Sequence, residues 1–209
     1  MRIVKEHSER LEEILDTAQR LFSEKGYGKC TINDIINEIG IAKGTFYHYF
    51  KSKEEVLNAI NDRITAKILE RVRAVSRDET LSSENKLLKI FLSLNASEEI
   101  EEGLVEEMHE PENALLHQKM LASAVALVSP VLADVVKEGI EKGDFVCEYP
   151  EEYMQIFLTS AMTLSDGGIF QLEKEKQQKL FCALISLLAK MLGRDENDFL
   201  EKVKGHWIN

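Results

Sequence analysis

TINDIINEIGIAKGTFYHYFKSK, running from Thr31 to Lys53, is the stretch on which the reading of the whole chain turns. Thr31 has the side chain of a helix N-cap, and Asp34 at the third helical position can complete a capping box. Ile32, Ile35, Ile36 and Ile39 then recur at three- and four-residue spacing, the mark of one buried helical face. Gly40 ends that short helix, and Lys43 to Tyr49 can form a second one after a tight turn. Ser52 can cap a longer helix, with Glu55 in position for another capping box. Two short helices about a tight turn form a helix-turn-helix unit, in which the first helix braces across the DNA backbone and the second offers its N-terminal residues to the major groove. Gly44 costs about 1 kcal/mol of helix stability relative to alanine, so its place in so short a helix fits a close approach by something outside the chain. Beside it, Lys43 adds a cation, and Thr45 adds a hydroxyl for a base edge or phosphate and a methyl that can meet thymine. Tyr47, His48 and Lys53 supply donors suited to phosphate oxygens. Phe46, Tyr49 and Phe50 fall on the opposite face and read as core.

Outward from this unit the helical pattern continues. Leu11, Ile14, Leu15, Ala18, Leu21 and Phe22 form an N-terminal stripe that Gly26 and Gly28 stop. Val56, Leu57, Ile60, Ile64, Ile68, Val72 and Val75 keep the period to about Ser76, and residues 78–83 are polar. The segment from about Ile14 through Ile60 resembles the DNA-binding domain of the TetR family of bacterial transcriptional regulators. The resemblance is carried by Lys25-Gly26, by Thr31 opening the second helix, by Lys43-Gly44-Thr45-Phe46-Tyr47-His48-Tyr49-Phe50, and by Lys51-Ser52-Lys53-Glu54. It implies that Lys43, Gly44 and Thr45 read bases, and that Thr31, Tyr47, His48 and Lys53 hold phosphates. It also implies an all-α fold. A helix-turn-helix domain over residues 1–53 would be joined by a linking helix, about 53–76, to a helical effector-binding and dimerisation domain over residues 54–209.

Composition bounds the alternatives. In 209 residues, 44% hydrophobic and 30% charged, there are only 3 Pro and 11 Gly, which suits a globular helical chain. The net charge of -11 taken whole argues against a nucleic-acid partner. Residues 1–53, however, hold nine Lys and Arg against eight Asp and Glu, and residues 54–209 hold 17 against 29, so the acidity belongs to the C-terminal part. The longest uncharged run, Met120 to Ala133, is 14 residues, short for a membrane span. The N-terminus has no apolar core of the signal-peptide kind, and Cys30, Cys147 and Cys182 form no CxxC pair. A cytoplasmic protein without membrane, metal or cofactor is the expectation.

The C-terminal part reads as further helices over residues 84–96, 100–110, 112–142 with a bend at Pro130, 150–164 and 174–192, closing on a short amphipathic segment over 195–204. One stripe holds Tyr153, Ile156, Phe157, Ser160, Ala161 and Leu164, and another holds Phe181, Leu184, Leu188, Met191 and Leu192. The resemblance implies that the last two long helices pair with their mates in a homodimer, which assigns Phe157, Ala161, Leu164, Leu184, Leu188 and Met191 to the interface. It also implies a small-molecule effector in this domain. Met108, Met120, Met154 and Met162 with Phe91 and Phe157 would suit an adaptable apolar pocket, although methionines at helical spacing also serve as core filler. Glu106, His109, Glu110 and His117 could offer oxygen and nitrogen ligands to a metal, but with no paired motif, nucleophile and base, or Gly-rich phosphate loop, no enzyme is expected. The expected function is a ligand-responsive transcriptional regulator, a repressor acting as a homodimer on a palindromic double-stranded operator. The rivals are a ligand-independent architectural DNA-binding protein and, more remotely, a metal-dependent helical enzyme.

Overall fold

A computed structural model describes residues 7–95, 109 and 113–207, and every described element is a helix. The chain divides into two compact units, one of Met1–Ala66 with Ser97–His117 and one of Lys67–Ala96 with Gln118–Asn209. The helix expected over residues 100–110 lies outside the described residues, His109 apart.

In the first unit, α1 (His7–Lys25) buries Ile14, Leu15, Ala18, Leu21 and Phe22 on the face that the periodicity marks. Gly26 stops it at φ 84°, the left-handed conformation glycine adopts without strain, and returns its amide to the carbonyl of Phe22 at 3.0 Å. The second helix, α2 (Ile32–Ile39), opens on the full capping box of Thr31 and Asp34 and closes on Gly40 at φ 73°. Next comes α3 (Lys43–Tyr49), which buries Phe46 completely. It is followed by α4 (Lys53–Ser76), whose start is held by Ser52 Oγ accepting from the amide of Glu55 at 3.1 Å. The carboxylate of Glu55 reaches back one residue beyond Ser52, to the amide of Lys51 at 2.6 Å.

The boundary expected at Lys53 falls too early, because the compact unit continues to Ala66. Val56, Leu57, Ile60 and Ile64 on α4 are buried. The Arg63 guanidinium donates to Glu12 at 2.8 Å, Asp16 at 2.6 Å and Gln19 at 2.9 Å, tying α4 to α1. The first half of α4 is therefore part of the first unit rather than only a link between the two.

The second unit takes the C-terminal half of α4, then α5 (Ser83–Asn95), most of α6 (Ala114–Glu141), α7 (Pro150–Ser165), α8 (Lys174–Met191) and α9 (Glu196–Trp207). Its core joins Val72, Leu87, Ile90, Phe91, Val128 and Val136 to Met154, Phe157, Leu184, Leu188 and Phe199. The ring of Phe91 lies against those of Phe157 at 5.3 Å and Phe181 at 5.5 Å. Instead of ending or dividing the helix, Pro130 lies inside a continuous α6. By length and composition α6 could cross a membrane, yet Val125, Val128, Leu132, Val135 and Val136 face the core and Lys119, Asp134, Lys137 and Glu138 interrupt it. Such a run is what a core helix of a globular domain also shows. Where α6 ends, Phe145 folds back over Gly139, and a β-carbon there would stand 2.1 Å from the Phe145 ring.

Four of the six residues expected at a dimer interface are used inside this unit. Phe157, Ala161, Leu184 and Leu188 are no more than 4% exposed and belong to this unit's own core, so they have no surface left to offer a second copy. Leu164 is half-buried, and Met191 packs partly against the same core. A helix in a two-layer unit can bury one face internally and another against a partner, and the longest apolar stripe marks the internal one. The outward face of α7 and α8 instead carries Ile156, 52% exposed, and Leu187, 39% exposed.

Candidate nucleic-acid interface

The start of α3 is open. Its N-cap, Ala42, supplies no side-chain oxygen, and its carbonyl accepts from Thr45 at 2.9 Å and Phe46 at 3.3 Å. Lys43 and Gly44 are exposed, and Thr45 is half-buried. A β-carbon built on Gly44 would find no atom within 4 Å, so nothing inside the chain requires a glycine there. One turn on, Tyr47 and His48 are exposed, while Phe46 and Phe50 on the other face are buried. The buried rings fix the azimuth of α3, and that azimuth forces Lys43, Gly44, Tyr47 and His48 outward. The Lys43 ammonium lies 5.9 Å from the centre of the Tyr47 ring, a cation–π approach that keeps the long side chain over the helix.

Two residues expected to hold phosphate are engaged inside the unit. The hydroxyl of Thr31 donates to Asp34 at 2.5 Å and accepts from the Asp34 amide at 3.1 Å. The hydroxyl and then the amide of Thr31, followed by Lys25, pull the Asp34 carboxyl down to about 2, so a full negative charge stands at the head of α2. That charge stabilises the helix start and opposes a phosphate at the same place. Lys53 directs its ammonium to the carbonyls of Tyr27 and, at 2.9 Å, Cys30, and sits over the Tyr27 ring at 4.1 Å. It latches the turn between α1 and α2 onto the head of α4. No local pattern announces this, since the partners lie 23 and 26 residues upstream. Cys30 is buried beneath the latch, and burial pushes its thiol up.

The same accounting separates the basic residues. Arg10 pairs with Glu13, Arg20 with Glu24 and Glu38, and Lys25 with Asp34. Among the described residues of the first unit, Lys29, Lys43 and Lys51 are exposed without a carboxylate partner. Within that unit the charge available to a polyanion thus lies at the start of α3 and on the turns before α2 and after α3.

Outside this unit's α3 face, the other expectations fare unevenly. Met154, Phe157 and Phe91 are core residues, while Met120 and Met162 are half-buried. Met108, Glu106 and Glu110 lie outside the described residues. His109 and His117, separated in sequence by Pro111, are brought together with ring centres 4.9 Å apart.

A helix-turn-helix whose second helix presents an open N-terminus, a glycine with empty space above it and unpaired cations defines a DNA-binding regulator of transcription. A family model described as bacterial regulatory proteins of the tetR family matches residues 14–60, and one described as a tetracyclin repressor-like C-terminal domain matches residues 96–187. An uncharacterized HTH-type transcriptional regulator of Bacillus subtilis, YxaF, is 28% identical over 76% of this chain and 82% of its own length. The HTH-type transcriptional repressor KstR2 of Mycobacterium tuberculosis is 25% identical over 88% of this chain and 95% of its own. Among solved structures, RolR in complex with the ligand resorcinol superposes with a TM-score of 0.63 at 18% identity, covering 93% of this chain and 92% of that one. The chain belongs to the TetR family of bacterial transcriptional regulators.

Proposed function

We propose that the protein is a ligand-responsive repressor that binds a palindromic operator as a homodimer in the bacterial cytoplasm. Lys43, Gly44 and Thr45 read base edges, while Tyr47 and His48 engage phosphates. Thr31 and Lys53 serve the interface by holding α2 and the α1–α2 turn in place. The observation that carries this reading is the empty space above Gly44 at the exposed start of α3. A helix of seven residues reaches only a few base pairs, so two copies about one turn of DNA apart, or a multiple of it, are required for specific recognition. The outward face of α7 and α8, with Ile156 and Leu187, supplies the second copy's contact. Repression accords with the similarity to the KstR2 repressor, and a small-molecule effector with the likeness to a regulator solved with resorcinol. The effector acts through its difference in affinity for the DNA-competent and DNA-incompetent states, and by no more than that difference.

The test is selection of a duplex from a randomised library, followed by titration of the variants. Thr45→Ala and Lys43→Ala should each weaken binding of the selected duplex by about tenfold or more, with melting temperature unchanged. Wild-type affinity should fall steeply as salt rises, by about 0.9 in log–log slope per phosphate engaged. Unaltered affinity in both variants, or a flat salt response, would sink the assignment of α3.

A further inference from the structure

His7, the first residue of α1, lies against the far end of α3. Its ring is 4.6 Å from that of Tyr49, tilted by 38°, and 5.9 Å from that of His48 in an edge-on arrangement at 81°. His48 in turn meets Tyr49 edge-on at 5.3 Å. Tyr49 is half-buried, so it forms the floor on which the two imidazoles rest, and both imidazoles are exposed. Sequence spacing gives no hint of the cluster, since His7 and His48 are 41 positions apart. The ring packing with Tyr49 and His48 concerns the residue next to Tyr47 on the face that the preceding section gives to DNA phosphates.

We propose that His7 and His48 together form a two-imidazole contact for one phosphate of the DNA backbone, with His7 as a second donor from α1 and Tyr49 as the platform that orients it. Two imidazoles whose centres lie about 6 Å apart can each present an N–H to one phosphate group placed between or above them. The contact is proton-linked. An imidazole changes charge between about pH 5 and 8, and a neighbouring phosphate favours the cationic form. Binding therefore takes up protons, and affinity rises as pH falls. The titratable groups in ring contact with His7 are His48 and Tyr49, both on α3. On α1 itself Glu9 and Arg10 follow it, and Arg10 is tied to Glu13.

This inference rests on the reading of α3 as the DNA-contacting helix, and the experiment separates the two. The full-length protein and the variants His7→Phe, His48→Phe and His7→Ala are titrated with the wild-type-selected duplex at about pH 6 and about pH 8, each over a salt series. Phenylalanine at position 7 keeps the packing on Tyr49 but removes the donor and the charge. The expected result is that the wild type gains affinity and salt slope on acidification, and that His7→Phe and His48→Phe each lose most of that gain with little change in melting temperature. A wild-type pH and salt profile in His7→Phe overturns the two-imidazole contact and leaves the α3 assignment standing. Equal loss at both pH values, with normal binding in His7→Phe and impaired binding only in His7→Ala, would reduce His7 to packing and overturns it as well. Failure of the wild type to select or bind any duplex overturns the α3 reading and this contact with it.

Discussion

A methyl group on Gly44 would meet no atom of the chain. Glycine in a helix costs about 1 kcal/mol relative to alanine, and this position has neither a positive φ nor a crowded neighbour to justify it. Gly44→Ala should therefore raise stability, by up to about 1 kcal/mol, and at the same time weaken operator binding, because the added methyl lies on the face proposed to meet DNA. Thermal melting and a duplex titration on the same preparation check both signs. A variant that is more stable and binds as well as the wild type would mean that the glycine answers to nothing at this surface. Gly139 makes the contrast: its missing β-carbon is used inside the unit, against the Phe145 ring, so alanine there acts on folding alone.

Between elements of the second unit, one tie is a buried ion pair. Lys86 on α5 is 3% exposed and donates to both carboxylate oxygens of Glu138 on α6, at 3.0 and 2.8 Å. Lys142 and then Lys86 hold the Glu138 carboxyl below its ordinary value. A carboxyl depressed in the folded state contributes stability that is present above its unfolded pKa, about 4.3, and is lost as pH falls through the folded value. Removing Glu138 strands a buried ammonium, so Glu138→Ala should cost about 3 kcal/mol near neutral pH. It should also flatten the acid limb of stability against pH, which denaturant titrations from about pH 7 to about pH 3 would reveal. An unchanged acid limb would place the acid sensitivity elsewhere.

Such ties were the least legible part of the chain. The stripes of α1, α2 and α4 and the caps at Thr31 and Ser52 are local, and periodicity finds them. The outward set on α3 was legible for the same reason, because Phe46 and Phe50 must face in. The latch of Lys53 onto Tyr27 and Cys30 is not local, and neither are the Arg63 cluster or the packing of His7 on Tyr49. Each joins residues more than 20 positions apart, where a basic side chain near DNA and a basic side chain bonded to carbonyls look alike in sequence. Stripes have a related blindness: the apolar period of α7 and α8 marks a buried face without saying what buries it, and here it is the unit's own core.

At the scale of the whole molecule, the -11 net charge resolves into residues 1–53, nearly neutral, and an acidic remainder. That division leaves the first unit, where Lys29, Lys43 and Lys51 stand unpaired, as the part that repels DNA least, but attraction to phosphate alone gives no specificity. On the proposed reading, specificity requires two α3 helices at a fixed spacing, and so depends on which face of the second unit meets its copy. Ile156 and Leu187 are exposed on α7 and α8, whereas Leu188, one residue along, is 1% exposed. The neighbouring leucines should therefore fail differently. Leu187→Glu should keep its helical content and melting behaviour as a monomer in sizing experiments, and should lose most specific affinity while retaining salt-sensitive, non-specific binding. Leu188→Ala should lose about 3 kcal/mol of stability through the cavity it opens, while whatever remains folded still assembles. If Leu187→Glu stays a dimer with native operator affinity, the second copy docks on another face. If Leu188→Ala yields stable monomers, the internal and external faces of α8 have been interchanged.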